Sequence, residues 1–140
     1  MERTFDMKHK ILVVEDEAEI RKTICLQLEG SIYDVLEAED GERGIELLDN
    51  ENILEVVVII CDVRMPKVNG IEAVAYFREN YPTIPIIVLT GYPDTQLAID
   101  FMKSGVVEFL VKPVEKKELL EAVAKAARQH SLFGASPSSV

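Results

Sequence analysis

Cysteine is scarce: only two occur in 140 residues, Cys25 and Cys61. Each lies in an apolar stretch, Ile24-Cys25-Leu26 and Ile59-Ile60-Cys61, where a free thiol behaves as a small hydrophobe. Neither has a second cysteine or a histidine at metal-site spacing, which excludes a disulfide scaffold and a zinc site and fits a reducing compartment. Positive charge is also in short supply. Lys and Arg number 15 against 25 Asp and Glu, giving a formal net charge of -10 and a pI near 4.7. That balance argues against nucleic acid or an anionic membrane as the partner of this domain, and it suits divalent cations or simply a solvated acidic surface. No apolar run approaches a membrane span, and the charged stretch Met1–Lys10 has no signal-peptide core. A cytoplasmic location is the simplest expectation. Neither G-x-G-x-x-G nor G-x-x-x-x-G-K-[ST] occurs, so a flavin or nucleotide module has no phosphate loop to rest on.

The chain does contain five short apolar runs: Ile11–Val14, Ile32–Leu36, Val56–Cys61, Pro85–Leu89 and Val106–Val111. The third and fourth are continuous rather than alternating, as expected for parallel strands covered on both faces. Ile32–Leu36 includes Tyr33 and Asp34 and reads as an edge strand. Between the runs, apolar residues recur with helical period. Ile20, Ile24 and Leu28 precede Gly30 as a stop, and Ile45 and Leu48 follow Asp40-Gly41. Ile71, Val74 and Phe77 lie between Asn69-Gly70 and Tyr81-Pro82. Asp94 caps a helix carrying Leu97 and Phe101 that ends before Gly105. Leu119, Leu120, Val123 and Ala127 line a last helix after Pro113. Five β-α alternations predict one α/β domain with right-handed crossovers. The expected division is a tail over 1–8, the domain over 9–131, and a flexible tail or linker start over 132–140.

In an open parallel sheet, ligands gather beyond the carboxyl ends of the strands. Glu15-Asp16-Glu17 follows the first run, Asp62 ends the third, Thr90 the fourth, and Lys112-Pro113 the fifth. Adjacent carboxylates repel unless a cation lies among them, and Mg²⁺ accepts carboxylates, carbonyls and water. An aspartate can attack phosphorus to form an acyl phosphate, whose oxygens need a cation, an ammonium and a hydroxyl nearby. Each residue has a plainer reading alone: a helix start for Glu15-Asp16-Glu17, a strand end for Asp62 and Thr90, a strand exit for Lys112. Four strand ends carrying complementary groups on one edge make the joint coincidence improbable.

Ile11-Leu-Val-Val-Glu-Asp-Glu17, Cys61-Asp-Val-Arg-Met-Pro-Lys-Val-Asn-Gly70, Val88-Leu-Thr-Gly91 and Phe109-Leu-Val-Lys-Pro113 together resemble the receiver domain of bacterial two-component response regulators, over about residues 9 to 130. The resemblance implies a flavodoxin-like fold with strand order 2-1-3-4-5 and five helices on both faces. It implies Asp62 as phosphoacceptor. The expected Mg²⁺ ligands, with Mn²⁺ as a substitute, are Asp16, Glu15 acting through water, Asp62 and the Arg64 main-chain carbonyl. Thr90 is the expected switch hydroxyl, Lys112 its lysine partner, Phe109 the aromatic switch, and the bond before Pro113 is expected to be cis.

The implied partners are a histidine kinase or phosphotransfer protein and an output domain or downstream protein. The output would meet the face formed by the fourth helix, fifth strand and fifth helix, with a phosphorylation-linked homodimer as a further arrangement. Such a domain catalyses only its own phosphorylation and dephosphorylation. Two positions depart from the commoner pattern: Glu15 stands where Asp is usual, and Phe109 lacks the hydroxyl of the frequent Tyr. Arg64 and Tyr92 are expected to shield the acyl phosphate from water. An aspartyl-phosphate hydrolase is a rival, but it usually needs a second Asp two residues after the nucleophile, where this chain has Arg64. A receiver-like scaffold that ignores phosphorylation is another, opposed by the complete residue set.

Overall fold

In a computed structural model of the chain, residues 9–63, 70–91 and 94–134 are described. Five parallel strands form one sheet: β1 (Lys10–Val14), β2 (Asp34–Ala38), β3 (Val56–Asp62), β4 (Ile86–Thr90) and β5 (Glu108–Val111). Their order is β2-β1-β3-β4-β5, as the resemblance implies. Five helices connect and follow them: α1 (Ala18–Leu28), α2 (Gly41–Asp49), α3 (Gly70–Asn80), α4 (Thr95–Lys103) and α5 (Lys116–Gly134). A short 3₁₀ turn, Ile53–Glu55, leads into β3.

The continuous apolar runs have the expected cause. Every residue of β3 and β4 is buried, because helices cover both faces of the central sheet. Alternate side chains serve the two sides. Leu12, Val14, Ile59, Cys61 and Val88 meet Leu48 of α2, Val74 and Phe77 of α3 and Phe101 of α4. Ile11, Val13, Val58, Ile60, Ile87 and Leu89 meet Ile24 and Leu28 of α1 and Leu119 and Val123 of α5. A register shift between Lys10 and Ile11 skips one residue of β3, so Val57 and Val58 both join the second side. Full burial of one such side chain is worth roughly 1.5–3 kcal/mol.

Local signals set the helix ends. Asp40 accepts from the Arg43 N–H at 2.8 Å and Asp94 from the Leu97 N–H at 3.0 Å, each opening its helix. Gly30, at φ 85°, lets the chain leave α1 in the left-handed region that side-chain-bearing residues avoid.

Two strands begin two residues later than their apolar runs. β2 opens at Asp34, not Ile32, because Ser31 and Tyr33 are still engaged in the exit from α1. The Ser31 N–H donates to Leu28 O, and its hydroxyl accepts from the Tyr33 N–H. Ile32 is left 75% exposed. β5 opens at Glu108 because the Val106 N–H closes the end of α4 on Phe101 O. At the other end of the domain, α5 continues through Gly134, beyond residue 131. Among the described residues no helix is long and apolar enough to cross a membrane.

Candidate functional site

Parallel strands of similar register bring their carboxyl ends to one rim, and the sequence places a polar residue at or just beyond four of those ends. Glu15 follows β1 and Lys112 follows β5, while Asp62 and Thr90 are the last residues of β3 and β4. Main-chain bonds extend the ladder past the side chains. The Glu15 N–H donates to Ala38 O at 3.0 Å and the Lys112 N–H to Thr90 O at 2.8 Å. The positions of these groups are therefore set by the sheet rather than by a free loop.

Glu15, Asp62 and Thr90 are the buried polar residues of the domain among those described. Lys112 Nζ lies 2.7 Å from Glu15 Oε1 and 3.2 Å from Asp62 Oδ2, one ammonium between two carboxylates. Carboxylate oxygens of Glu15, Asp16 and Asp62 all fall within 4.8 Å of one another. Thr90 lies at the same rim, one strand from Asp62, with its side chain fully buried. Phe109 is half-buried on β5, its ring centroid 6.4 Å from that of Phe101. The Lys112–Pro113 peptide is cis. Arg64, Met65, Pro66, Asn69 and Tyr92 lie outside the described residues.

Three carboxylates face one ammonium here, and burial sharpens the imbalance. Burial pushes the Glu15 carboxyl up to about 7; Lys112 opposes this and the charge of Asp62 adds to it. Burial works against the Lys112 ammonium, but the hydrogen bond to Glu15 and the charges of Asp62 and Glu15 outweigh it, leaving Lys112 raised. Glu15 Oε1 is buried, and the Lys112 ammonium that it meets at 2.7 Å is shared with Asp62. An all-oxygen donor set of three carboxylates around one ammonium, with surplus negative charge, fits a hard divalent cation such as Mg²⁺.

Two contributors to this site, Arg21 and Gln27, carry no signal in the sequence, and a third, Gly70, stands in a quoted motif that does not reveal its steric role. Gly70 opens α3 directly behind Asp62: a Cβ there would sit 2.2 Å from Val63 Cα and 2.3 Å from Asp62 O, so only glycine fits. Its pairing with Asn69 in the motif could have suggested a close approach. Arg21 and Gln27 of α1 bond the main chain of the loops carrying Glu15 and Lys112. The charged start Glu15-Asp16-Glu17 is only partly a helix cap. Glu17 occupies the cap position without a side-chain bond, and its N–H instead donates to Glu15 Oε2 at 3.2 Å. Beside the carboxylates lies a cleft of about 680 Å³ between α1 and the β5–α5 loop, with Ile20, Thr23 and Gln27 on one wall and Lys112 and Val114 on the other.

Comparison with known proteins gives a consistent result. A family model described as response regulator receiver domain matches residues 11–124. The transcriptional regulatory protein FixJ of Bradyrhizobium diazoefficiens is 32% identical over 122 residues, covering 87% of this chain and 58% of FixJ. The transcriptional regulatory protein GlrR of Escherichia coli is 33% identical over 126 residues, covering 88% of this chain and 28% of GlrR. The chain thus spans less than two thirds of the length of each of these relatives. Among solved structures, a response regulator receiver domain protein from Clostridium thermocellum superposes with a TM-score of 0.83 at 34% identity, covering 89% of this chain and 98% of that one.

Proposed function

Because the chain belongs to the response regulator receiver domain family, we propose that it is a phosphorylation switch that accepts a phosphoryl group on Asp62. The observation that carries this reading is the single ammonium of Lys112 within 3.2 Å of Asp62 and 2.7 Å of Glu15, with Asp16 in the same cluster. Glu15, Asp16 and Asp62 would hold Mg²⁺, or Mn²⁺ in its place, joined by the main-chain carbonyl of Arg64. The bound cation supplies neutralisation of negative charge beside Asp62.

The remaining steps belong to the chain's own groups. A histidine kinase or phosphotransfer protein presents phosphohistidine at the rim. An Asp62 carboxylate oxygen bonds to phosphorus as the N–P bond breaks, and the leaving imidazole keeps the electron pair. Lys112 follows the negative charge from the carboxylate to a phosphoryl oxygen. The Thr90 hydroxyl donates to another oxygen, and Phe109 moves in its wake. That motion changes the α4-β5-α5 face, where Ile99, Met102 and Val111 already stand exposed to meet an output domain or downstream protein. The bulky side chains of Arg64 and Tyr92 are proposed to shield the acyl phosphate from water and lengthen its life. The domain is a signalling element rather than an enzyme acting on external substrates.

The test is labelling with acetyl phosphate in the presence of Mg²⁺, followed by intact-mass measurement. The parent should gain one phosphoryl group and Asp62→Ala none. Undiminished labelling of Asp62→Ala would remove Asp62 as acceptor.

A further inference from the structure

Helix α1 touches both halves of the rim through one side chain each. At its start, Arg21 Nη1 donates to the main-chain oxygen of Glu15 at 2.8 Å, and Arg21 Nε donates to Glu37 Oε1 of β2 at 3.2 Å. One guanidinium therefore ties the turn carrying Glu15 and Asp16 to the edge strand. Glu37 largely offsets the Arg21 charge, so what reaches the acidic cluster is position more than field. Near the end of the same helix, Gln27 Nε2 donates to Val114 O at 3.0 Å, across 87 residues of sequence. Val114 lies two residues beyond Lys112, in the loop that leaves β5 and forms the far wall of the cleft. A side-chain amide bridging a half-buried helix and a loop carbonyl has one evident effect, which is to hold that loop at a set distance from α1.

We propose that α1 braces the two halves of the site independently: Arg21 positions the cation-binding carboxylates, and Gln27 positions Lys112 for the phosphoryl group. This rests on the phosphoacceptor reading above. Both are positioning residues; neither reaches the reacting atoms itself. The two bonds attach to different loops and share only the helix between them, so their losses should separate.

The experiment measures two quantities on the full chain. One is the Mn²⁺ binding isotherm, read from the free-ion electron paramagnetic resonance signal. The other is the rate of labelling by acetyl phosphate at saturating Mg²⁺. Arg21→Lys keeps the charge but loses the fork; it should weaken Mn²⁺ binding about tenfold and leave the saturated rate close to the parent. Gln27→Glu, nearly isosteric but without the N–H donor, should leave Mn²⁺ binding unchanged and slow labelling by roughly three- to tenfold. Gln27→Met should match it. If Arg21→Lys melts early, Glu37→Gln, at an exposed carboxylate, should weaken Mn²⁺ binding in the same direction by a smaller factor. Parent-like values in all variants, or both quantities moving together in each, would overturn the brace. A parent that never labels would instead overturn the phosphoacceptor reading and the Gln27 half with it, while the Mn²⁺ isotherms would still decide the Arg21 half.

Discussion

Two lysines each meet a pair of carboxylates at opposite ends of the sheet, and their surroundings differ. At the amino end, Lys10 Nζ lies 2.8 Å from Glu51 and 3.1 Å from Glu55, both of which keep 22% of their side-chain surface in water. At the carboxyl end, Lys112 lies as close to Glu15 and Asp62, which keep 1% and 3%. The distances are alike. The solvent is not, and among the described residues Asp16 adds a third negative group at the second site only. Hydrated carboxylates share their charge with water, so the Lys10 cluster is a plain surface ion pair. Buried carboxylates cannot, so the surplus negative charge of the Lys112 cluster is costly, and burial pushes the Glu15 carboxyl up to about 7.

The sharpest way to break this comparison is to remove each lysine. Lys112→Met should cost about 3 kcal/mol in urea unfolding at neutral pH without divalent cations, because two buried carboxylates lose their shared partner. Lys10→Met should cost only a small part of that. Equal losses would mean that burial does not distinguish the two ends.

Next in size is the response to Mg²⁺. At a hundred times its dissociation constant, the ion should stabilise the parent by about 2.7 kcal/mol, seen as a rise in Tm, and the rise should be largely lost in Asp16→Ala. A cation response that survives Asp16→Ala would place the ion elsewhere.

The pH dependence should be smaller and opposite in sign to that of an ordinary paired carboxylate. Folding raises the Glu15 carboxyl from 4.5 to about 7. Between those values the folded chain keeps a proton that the unfolded chain has lost. In a chelator, the contribution of Glu15 therefore falls as pH rises from about 4.5 to about 7. Glu15→Gln should flatten the stability profile over that window; an unchanged slope would assign it to other groups. The smallest effect is expected from Glu51→Gln at the amino end, within about 0.5 kcal/mol of the parent.

Much of this was legible from residue order. The unbroken runs Val56–Cys61 and Ile86–Leu89 announced central strands because burial on both faces removes any need for polar alternation. Gly30 and Asp94 marked helix ends because caps and left-handed turns are decided within a few residues. Ile32 misled because an apolar residue in a helix exit carries the same local pattern as one in a strand. Arg21 and Gln27 were silent, and the steric role of Gly70 within its motif stayed hidden, for a different reason. Each matters through contact with a main-chain atom of another segment, and no local pattern records that contact.

By itself, the order of residues determined the five β-α units, the buried character of the central strands, and which polar groups would stand at the carboxyl end of each strand. Those properties follow from side-chain period and backbone preference over short stretches. Tertiary structure alone decided that Glu15 and Asp62, 47 positions apart in the numbering, would share one ammonium away from water. It also decided that a helix on the flank would hold both loops. The physical reason is that charge imbalance, burial and hydrogen-bond reach are properties of distances in space, which exist only once the strands have been ordered side by side.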